Sequence, residues 1–186
     1  MKIIETPIKN LLIIEPRQFK DDRGYFFESF NQKKFVDFGL NYNFVQDNES
    51  KSQYGVIRGL HYQLAPYAQA KLVRAVKGSI YDVAVDLRQG SQTFGNWFGV
   101  ELNEDNKLQL LIPRGFAHGF AVLSEEAIFS YKCDNIYNKE SEKGIIFNDP
   151  QLGIDWKLAE KDIHLSDKDN KLPLFINSEH NFILIR

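Results

Sequence analysis

The chain has 186 residues, 43% hydrophobic and 26% charged. This is one domain's length with ample apolar residues for a core, which rules out a disordered or collagen-like chain. Lys+Arg 23 against Asp+Glu 25 leaves a net charge of −2, so there is no electrostatic case for nucleic acid, and one Cys excludes an intramolecular disulfide and a multi-thiolate zinc site.

Met1–Asn10 contains Glu5 and Pro7 and lacks the apolar run of a signal peptide. No stretch approaches the roughly 18 consecutive apolar residues of a membrane helix. The expectation is a soluble cytoplasmic protein. Short apolar or alternating runs follow, punctuated by Gly, Asn and Asp. They predict strands over Leu11–Glu15, Tyr25–Phe30, Phe44–Asn48, Gly55–Gln63, Leu72–Val76, Ser79–Asp86, Asn96–Leu102, Lys107–Ile112, Ala117–Leu123, Ala127–Cys133 and Ile145–Phe147. Between the first strands, Gln32–Phe38 predicts a short helix, with Phe35 and Phe38 on one side and Gly39 just beyond its end. Lys77-Gly78 marks a tight turn. Within Ser79–Asp86, Asp82, Ala84 and Asp86 alternate with Tyr81, Val83 and Val85, a period of two that puts the polar groups on one face. Near the C-terminus, Ser166 followed three residues later by Asp169 predicts a helix start. The pattern reads as one all-β domain over residues 1–186, a sandwich or jelly-roll barrel with a few short helices. Residues 175–186 have no assigned role; the run Phe182–Ile185 suits an added strand or a contact surface.

Four segments carry unusual polarity for strands. They are Phe19–Phe30, Phe44–Ser50, Gly55–Gln63 with the following Gln69–Arg74, and Ile112–Phe120. Inward polar residues in a barrel need partners or a ligand. His61 suits a general base, because imidazole titrates near neutrality; a strand His also serves as a plain hydrogen-bonded structural residue. Lys71, if inward, could stabilise a developing oxyanion; otherwise it is a solvated loop lysine. Tyr131 shares a face with Phe129 and Cys133, and reads as either core or a cavity acid. Arg23, Arg58 and His118 suit an anionic ligand, although ordinary ion pairing explains any single Arg. Arg58 and His61 have opposite parity, so a bulge at Gly59 is needed to turn both inward. His164 and His180 read as structural or surface residues.

Pro113-x-Gly115-x-x-His118 resembles the second motif of cupin barrels, where Pro and Gly turn the chain and the His enters the barrel. The first cupin motif carries His-x-His, but here that place reads His61-Tyr62-Gln63. The reading therefore expects a cupin-like barrel without a metal.

The ordered motifs resemble the dTDP-4-dehydrorhamnose 3,5-epimerase family. They run from about Asp21 to Leu174 and include Asp22–Glu28, Phe44–Asn48, Arg58–Gln63, Gln69–Arg74, Tyr81–Arg88, Ile112–Phe120, Tyr131–Cys133, Gly153–Trp156 and Leu165–Asp169. Ala70 and Ala65-Pro66 depart from the commoner family residues, both in a loop. The resemblance implies a homodimeric jelly roll, without a cofactor, acting on a dTDP-4-keto-6-deoxy sugar. It implies His61 as base paired with Asp169, Tyr131 as acid on the opposite sugar face, and Lys71 near the C4 oxygen. Arg23, Arg58 and His118 would meet the diphosphate and sugar. Phe26, Glu28, Gln46 and Asn48 would contact the nucleotide end, with Tyr137 stacked on it. Glu142 and Lys168 match further binding positions, and Asp82 an acid near the base and lysine. The remaining alternatives are an epimerase acting at C3 alone and a non-catalytic sugar-nucleotide-binding barrel.

Overall fold

The computed structural model describes residues 1–184, which form thirteen strands, one α-helix and three 3-10 turns. In chain order the strands are β1 (Lys2–Glu5), β2 (Leu12–Glu15), β3 (Gln18–Asp21), β4 (Gly24–Phe27), β5 (Gln46–Gln53), β6 (Ile57–Gln63), β7 (Lys71–Lys77), β8 (Ser79–Asp86), β9 (Trp97–Asn103), β10 (Gln109–Ile112), β11 (Phe116–Val122), β12 (Glu126–Cys133) and β13 (Glu142–Gly144). The helix α1 spans Gln32–Asp37. Two antiparallel sheets carry the fold, one ordered β1-β2-β10-β7-β12-β5 and the other β13-β6-β11-β8-β9. The hairpin β3–β4 pairs only with itself. This is an all-β, cupin-like jelly roll.

The sheets face each other because each strand alternates apolar side chains toward a shared core. From the six-stranded sheet come Val73, Ala75, Leu110, Ile112 and Phe129; from the five-stranded sheet come Ile80, Ala84, Leu102, Phe116, Phe120 and Val122. The opposite parity of β8, Val83 and Val85, packs outward under Leu152, Trp156, Phe175 and Phe182. Both faces of the five-stranded sheet are thus covered, which is why β11 is buried along its whole length. On the outer face of the six-stranded sheet, Phe35 of α1 packs with Ile14, Leu72 and Leu111.

Local signals translate well at chain reversals. Asn31 caps α1 by accepting from the Lys34 amide, and Gly39 closes the far end at φ +78°. There Gly39 N–H donates to Val36 and Leu40 N–H to Phe35, a Schellman closure. Phe38, however, lies at the cap and is 51% exposed, so only Phe35 anchors the helix. Gly78 does make a turn, but β7 and β8 belong to different sheets, so the turn crosses the core instead of closing a hairpin.

Three strand expectations change. The run from Tyr25 stops at Phe27, because the Glu28 carboxylate turns to accept from Asn31 and Lys34 of the helix start. The strand from the Phe44 region begins at Gln46 and continues to Gln53 through a sequence with no hydrophobic residue; its eight-residue pairing with β12 holds it. Ile145–Phe147 is not a strand. The strand is Glu142–Gly144, and beyond Ile145 the chain leaves β6, the Ile146 amide donating instead to Pro173. The short β1 and β3 have no counterpart among the expected strands. In the tail, Phe182 is buried and Gln89 exchanges backbone bonds with Phe182 and Leu184, forming an isolated bridge instead of a strand. Ile185 lies outside the described residues.

Candidate active site

The cavity opens on the inner face of β6, β7, β11 and β12 and has a volume of about 510 Å³. Its position follows from the register of β6 on β11. His61 pairs with His118 and Arg58 with Phe120, so three steps on β6 span two on β11. The extra residue is a bulge at Gly59–Leu60. It turns both Arg58 and His61 toward the cavity, as their opposite parity requires. Gly59 is needed there: its φ is +116°, and a Cβ would stand 2.6 Å from the Gly119 Cα and 2.6 Å from the His118 carbonyl.

His61 Nε2 meets Asp169 Oδ1 at 2.6 Å, across 108 residues of sequence. Asp169 opens a 3-10 turn, and its amide donates to Ser166 Oγ at 3.1 Å. The helix-start signal at Ser166 therefore places the carboxylate. Burial opposes the Asp169 charge, but the bond from His61, with help from Ser166 and the Gly59 amide, carries its pKa below the ordinary carboxylate value. The side chain of Asp169 is 5% exposed and that of His61 29%. One ring edge of His61 is anchored and the other is open to the cavity.

Lys71 begins β7 and lines the cavity near Tyr131, its Nζ 5.8 Å from that ring's centroid. Burial pulls its pKa down, and the neighbouring Cys133, Asp82 and Glu142 favour the ammonium against that pull. Tyr131 enters from β12, and burial, then Cys133, pushes its phenol up, so the hydroxyl keeps its proton. Cys133, raised to about 11 by burial, is an unreactive thiol. His118 projects from β11 with Nε2 2.9 and 3.1 Å from the two oxygens of Asp82, which is fully buried. Arg58 donates from Nε to Ser52 Oγ at 3.0 Å.

Of the other expected residues, Lys168 lines the cavity and pairs with Glu142 at 2.7 Å. Glu142 also accepts from the exposed Tyr137 hydroxyl at 2.9 Å, and the Tyr137 amide donates to Gln46 Oε1 at 2.9 Å. Gln46 in turn donates to Asn48, at 3.1 Å. These five form a polar string leading from the edge strand β5 to the cavity. Arg23, Phe26 and Glu28 are not on the cavity wall. The Arg23 side chain is 90% exposed and paired with Asp21, Phe26 is 66% exposed, and Glu28 is bound to Lys34.

Several lining residues carry no signal in the sequence. Phe120 and Phe129 stack at 4.3 Å on the cavity's apolar side, hidden because a core Phe looks the same. Glu49, Ser50 and His164 also line it. His164 is exposed at the rim, consistent with a surface residue but nearer the site than its spacing suggested. Among the described residues, no three His, Cys, Asp or Glu side chains are grouped to hold a metal ion, and no helix is long and apolar enough to cross a membrane.

A jelly roll whose cavity presents a carboxylate-anchored imidazole, a phenol and a half-buried lysine fits an acid–base isomerase of the cupin class. Similarity to known proteins narrows this. The family model for dTDP-4-dehydrorhamnose 3,5-epimerase matches residues 5–177. A dTDP-4-dehydrorhamnose 3,5-epimerase of Shigella flexneri is 54% identical over 97% of this chain and 99% of its own. The crystal structure of dTDP-4-dehydrorhamnose 3,5-epimerase from Elizabethkingia anophelis NUHP1 superposes with a TM-score of 0.92 at 60% identity, covering 95% of this chain and 97% of that one. The dTDP-6-deoxy-D-glucose-3,5-epimerase of Legionella pneumophila Philadelphia 1, solved in complex with dTDP-4-keto-L-rhamnose, gives 0.91 at 52% identity over 95% and 93% of the two chains. The chain belongs to the dTDP-4-dehydrorhamnose 3,5-epimerase family and is an epimerase of dTDP-sugars in dTDP-rhamnose biosynthesis.

Proposed function

We propose that the chain converts dTDP-4-dehydro-6-deoxyglucose to dTDP-4-dehydro-L-rhamnose with His61 as base and Tyr131 as acid. The observation that carries this is the 2.6 Å His61–Asp169 pair on the wall of a cavity that also holds Tyr131 and half-buried Lys71. The protons at C3 and C5 are both α to the C4 ketone. His61 removes one, the electron pair moves onto the C4 oxygen, and the enolate forms beside the Lys71 ammonium. Asp169 stabilises the imidazolium while it exists. Tyr131 then gives its proton to the same carbon from the opposite face, which inverts it. Bulk water returns a proton to the phenolate and takes one from the imidazolium, and the cycle repeats at the second carbon. This proton traffic calls on no cofactor.

Arg58, with Lys168 and the string Gln46–Asn48–Tyr137–Glu142, suits the nucleotide diphosphate at the cavity mouth. Arg23, Phe26 and Glu28 stand apart on and beyond the exposed β3–β4 hairpin, so their expected contact with nucleotide calls for a second copy of the chain. The reading is a homodimer in which each hairpin completes the partner's site.

The test is deuterium exchange from solvent into dTDP-4-keto-6-deoxyglucose. Label at both C3 and C5 is the expected result. Label at C3 alone would make this a single-site epimerase, and no label would make it a binding module. Sedimentation or light scattering should give a dimer, and Arg23→Ala should weaken dTDP binding without touching exchange chemistry on bound substrate.

A further inference from the structure

A second His–Asp pair, His118 with Asp82, stands behind the cavity. Asp82 is fully buried on β8, and among the described residues its side chain has no hydrogen-bond partner except His118. Both of its oxygens converge on one nitrogen, Nε2, at 2.9 and 3.1 Å. Two acceptor oxygens turned to a single nitrogen are the geometry of one N–H shared between them, which places the proton on Nε2. The ring lies at the cavity surface, and no buried polar side-chain atom lacks a partner among the described residues. The atom left to face the cavity is Nδ1.

We propose that Asp82 is a positioning residue that holds His118 as the neutral Nε2–H tautomer, so that Nδ1 offers the cavity a hydrogen-bond acceptor. An acceptor there recognises a hydroxyl of the sugar ring and has nothing to offer a diphosphate oxygen. This moves His118 from the anion-binding set to the hydroxyl-reading set, and it rests on the sugar-nucleotide reading above. Two neighbours support the neutral form. Burial pushes the His118 pKa below the ordinary imidazole value, and although Asp82 pulls it up, the charges of Lys71 and His61 oppose a further cation. The anchoring also differs from that of His61 in consequence: the side chains of His118 and Asp82 are 7% and 0% exposed, against 29% for the His61 side chain, so this ring has much less contact with water.

Histidine-labelled protein examined by nitrogen-15 NMR tests the tautomer directly, with the His118→Asn variant assigning the signal. The expected spectrum shows His118 neutral at neutral pH, with Nε2 protonated and Nδ1 bare. An imidazolium, or a proton on Nδ1, overturns the proposal. Asp82→Asn keeps the shape but lets the amide donate to Nε2, so the tautomer should mix or switch. Its kcat/KM should fall by roughly tenfold or more, as expected for misdirecting one hydrogen bond, while its affinity for dTDP stays within about twofold. A loss of dTDP affinity as large as the loss of kcat/KM would return His118 to the diphosphate and overturn the assignment; unchanged kcat/KM would remove Asp82 as a positioning residue. Were the wild-type protein to show no epimerisation, the functional reading would fail, and the NMR result would still decide the tautomer.

Discussion

Two His–Asp pairs face the same cavity, and they are built in opposite ways. His118 and Asp82 sit diagonally across the regular ladder of neighbouring strands β11 and β8, one registered with Ala84 and the other with Phe120, and their side chains are almost wholly buried. His61 and Asp169 come from a bulged strand and a 3-10 turn 108 residues away, and the His61 side chain remains 29% exposed. The chemistry of the pairs is identical on paper. The difference teaches that a general base needs more than a carboxylate behind it: it needs an open ring edge and a route for its proton to water. The pair with both is the one assigned the base.

The largest expected effect breaks the exposed pair. His61→Asn should lower kcat by about 10²–10⁴-fold, the usual share of a positioned base, and abolish deuterium exchange at both carbons while dTDP still binds. Retained exchange would transfer the role to another group. Tyr131→Phe sharpens the contrast. It should stop inversion yet leave His61 able to exchange protons on its own face, so label should enter substrate without epimer appearing. Loss of both together would show that Tyr131 acts before the enolate forms.

Asp169→Asn should cost less than loss of the ring, about tenfold to a hundredfold in kcat, because the imidazolium loses its counter-charge but the ring remains. A pH profile separates this from misfolding. Gly59→Ala addresses the bulge that aims His61. A methyl 2.6 Å from backbone at φ +116° should destabilise the fold by about 2–4 kcal/mol in denaturant unfolding, and an unaltered midpoint would mean the strand relaxes freely. The smallest effect belongs to the buried pair. The folded pKa of His118 is lowered, so between that value and the ordinary one the unfolded chain binds the extra proton. Stability from this group is therefore full above the unfolded value and falls as pH drops below it. The depressed Asp169 acts in a lower window: its contribution is present above the ordinary carboxylate pKa and is lost as pH falls through the folded value. Thermal melts across mildly acidic pH, compared between wild type and His118→Asn, should show the first slope only in wild type.

Much of the site is legible in the sequence. Alternation along Ser79–Asp86 puts Asp82 on one face with Ala84 and Asp86, the parity conflict between Arg58 and His61 demands a bulge at Gly59, and Ser166 three residues before Asp169 marks the turn that holds the carboxylate. The family motifs supply the candidate site residues, and the structure brings His61, Lys71, His118, Tyr131, Lys168 and Asp169 to one cavity. What pattern could not show was extent where packing decides: β5 is a strand of polar residues only because β12 lies beside it, and Phe120 and Phe129 line the cavity although they read as core. The β3–β4 residues expected to bind, Arg23 and Phe26, lie off the cavity of their own chain.

By itself, then, the sequence determined the residue types, the alternation that makes strands, and the Gly and Asn positions where the chain must turn, because these depend on a few neighbours along the backbone. Only the tertiary structure decided which His meets which Asp, how much water each keeps, and which lysines line the cavity. Those depend on groups brought together from distant parts of the chain, and a carboxylate or an imidazole acquires its role from that company.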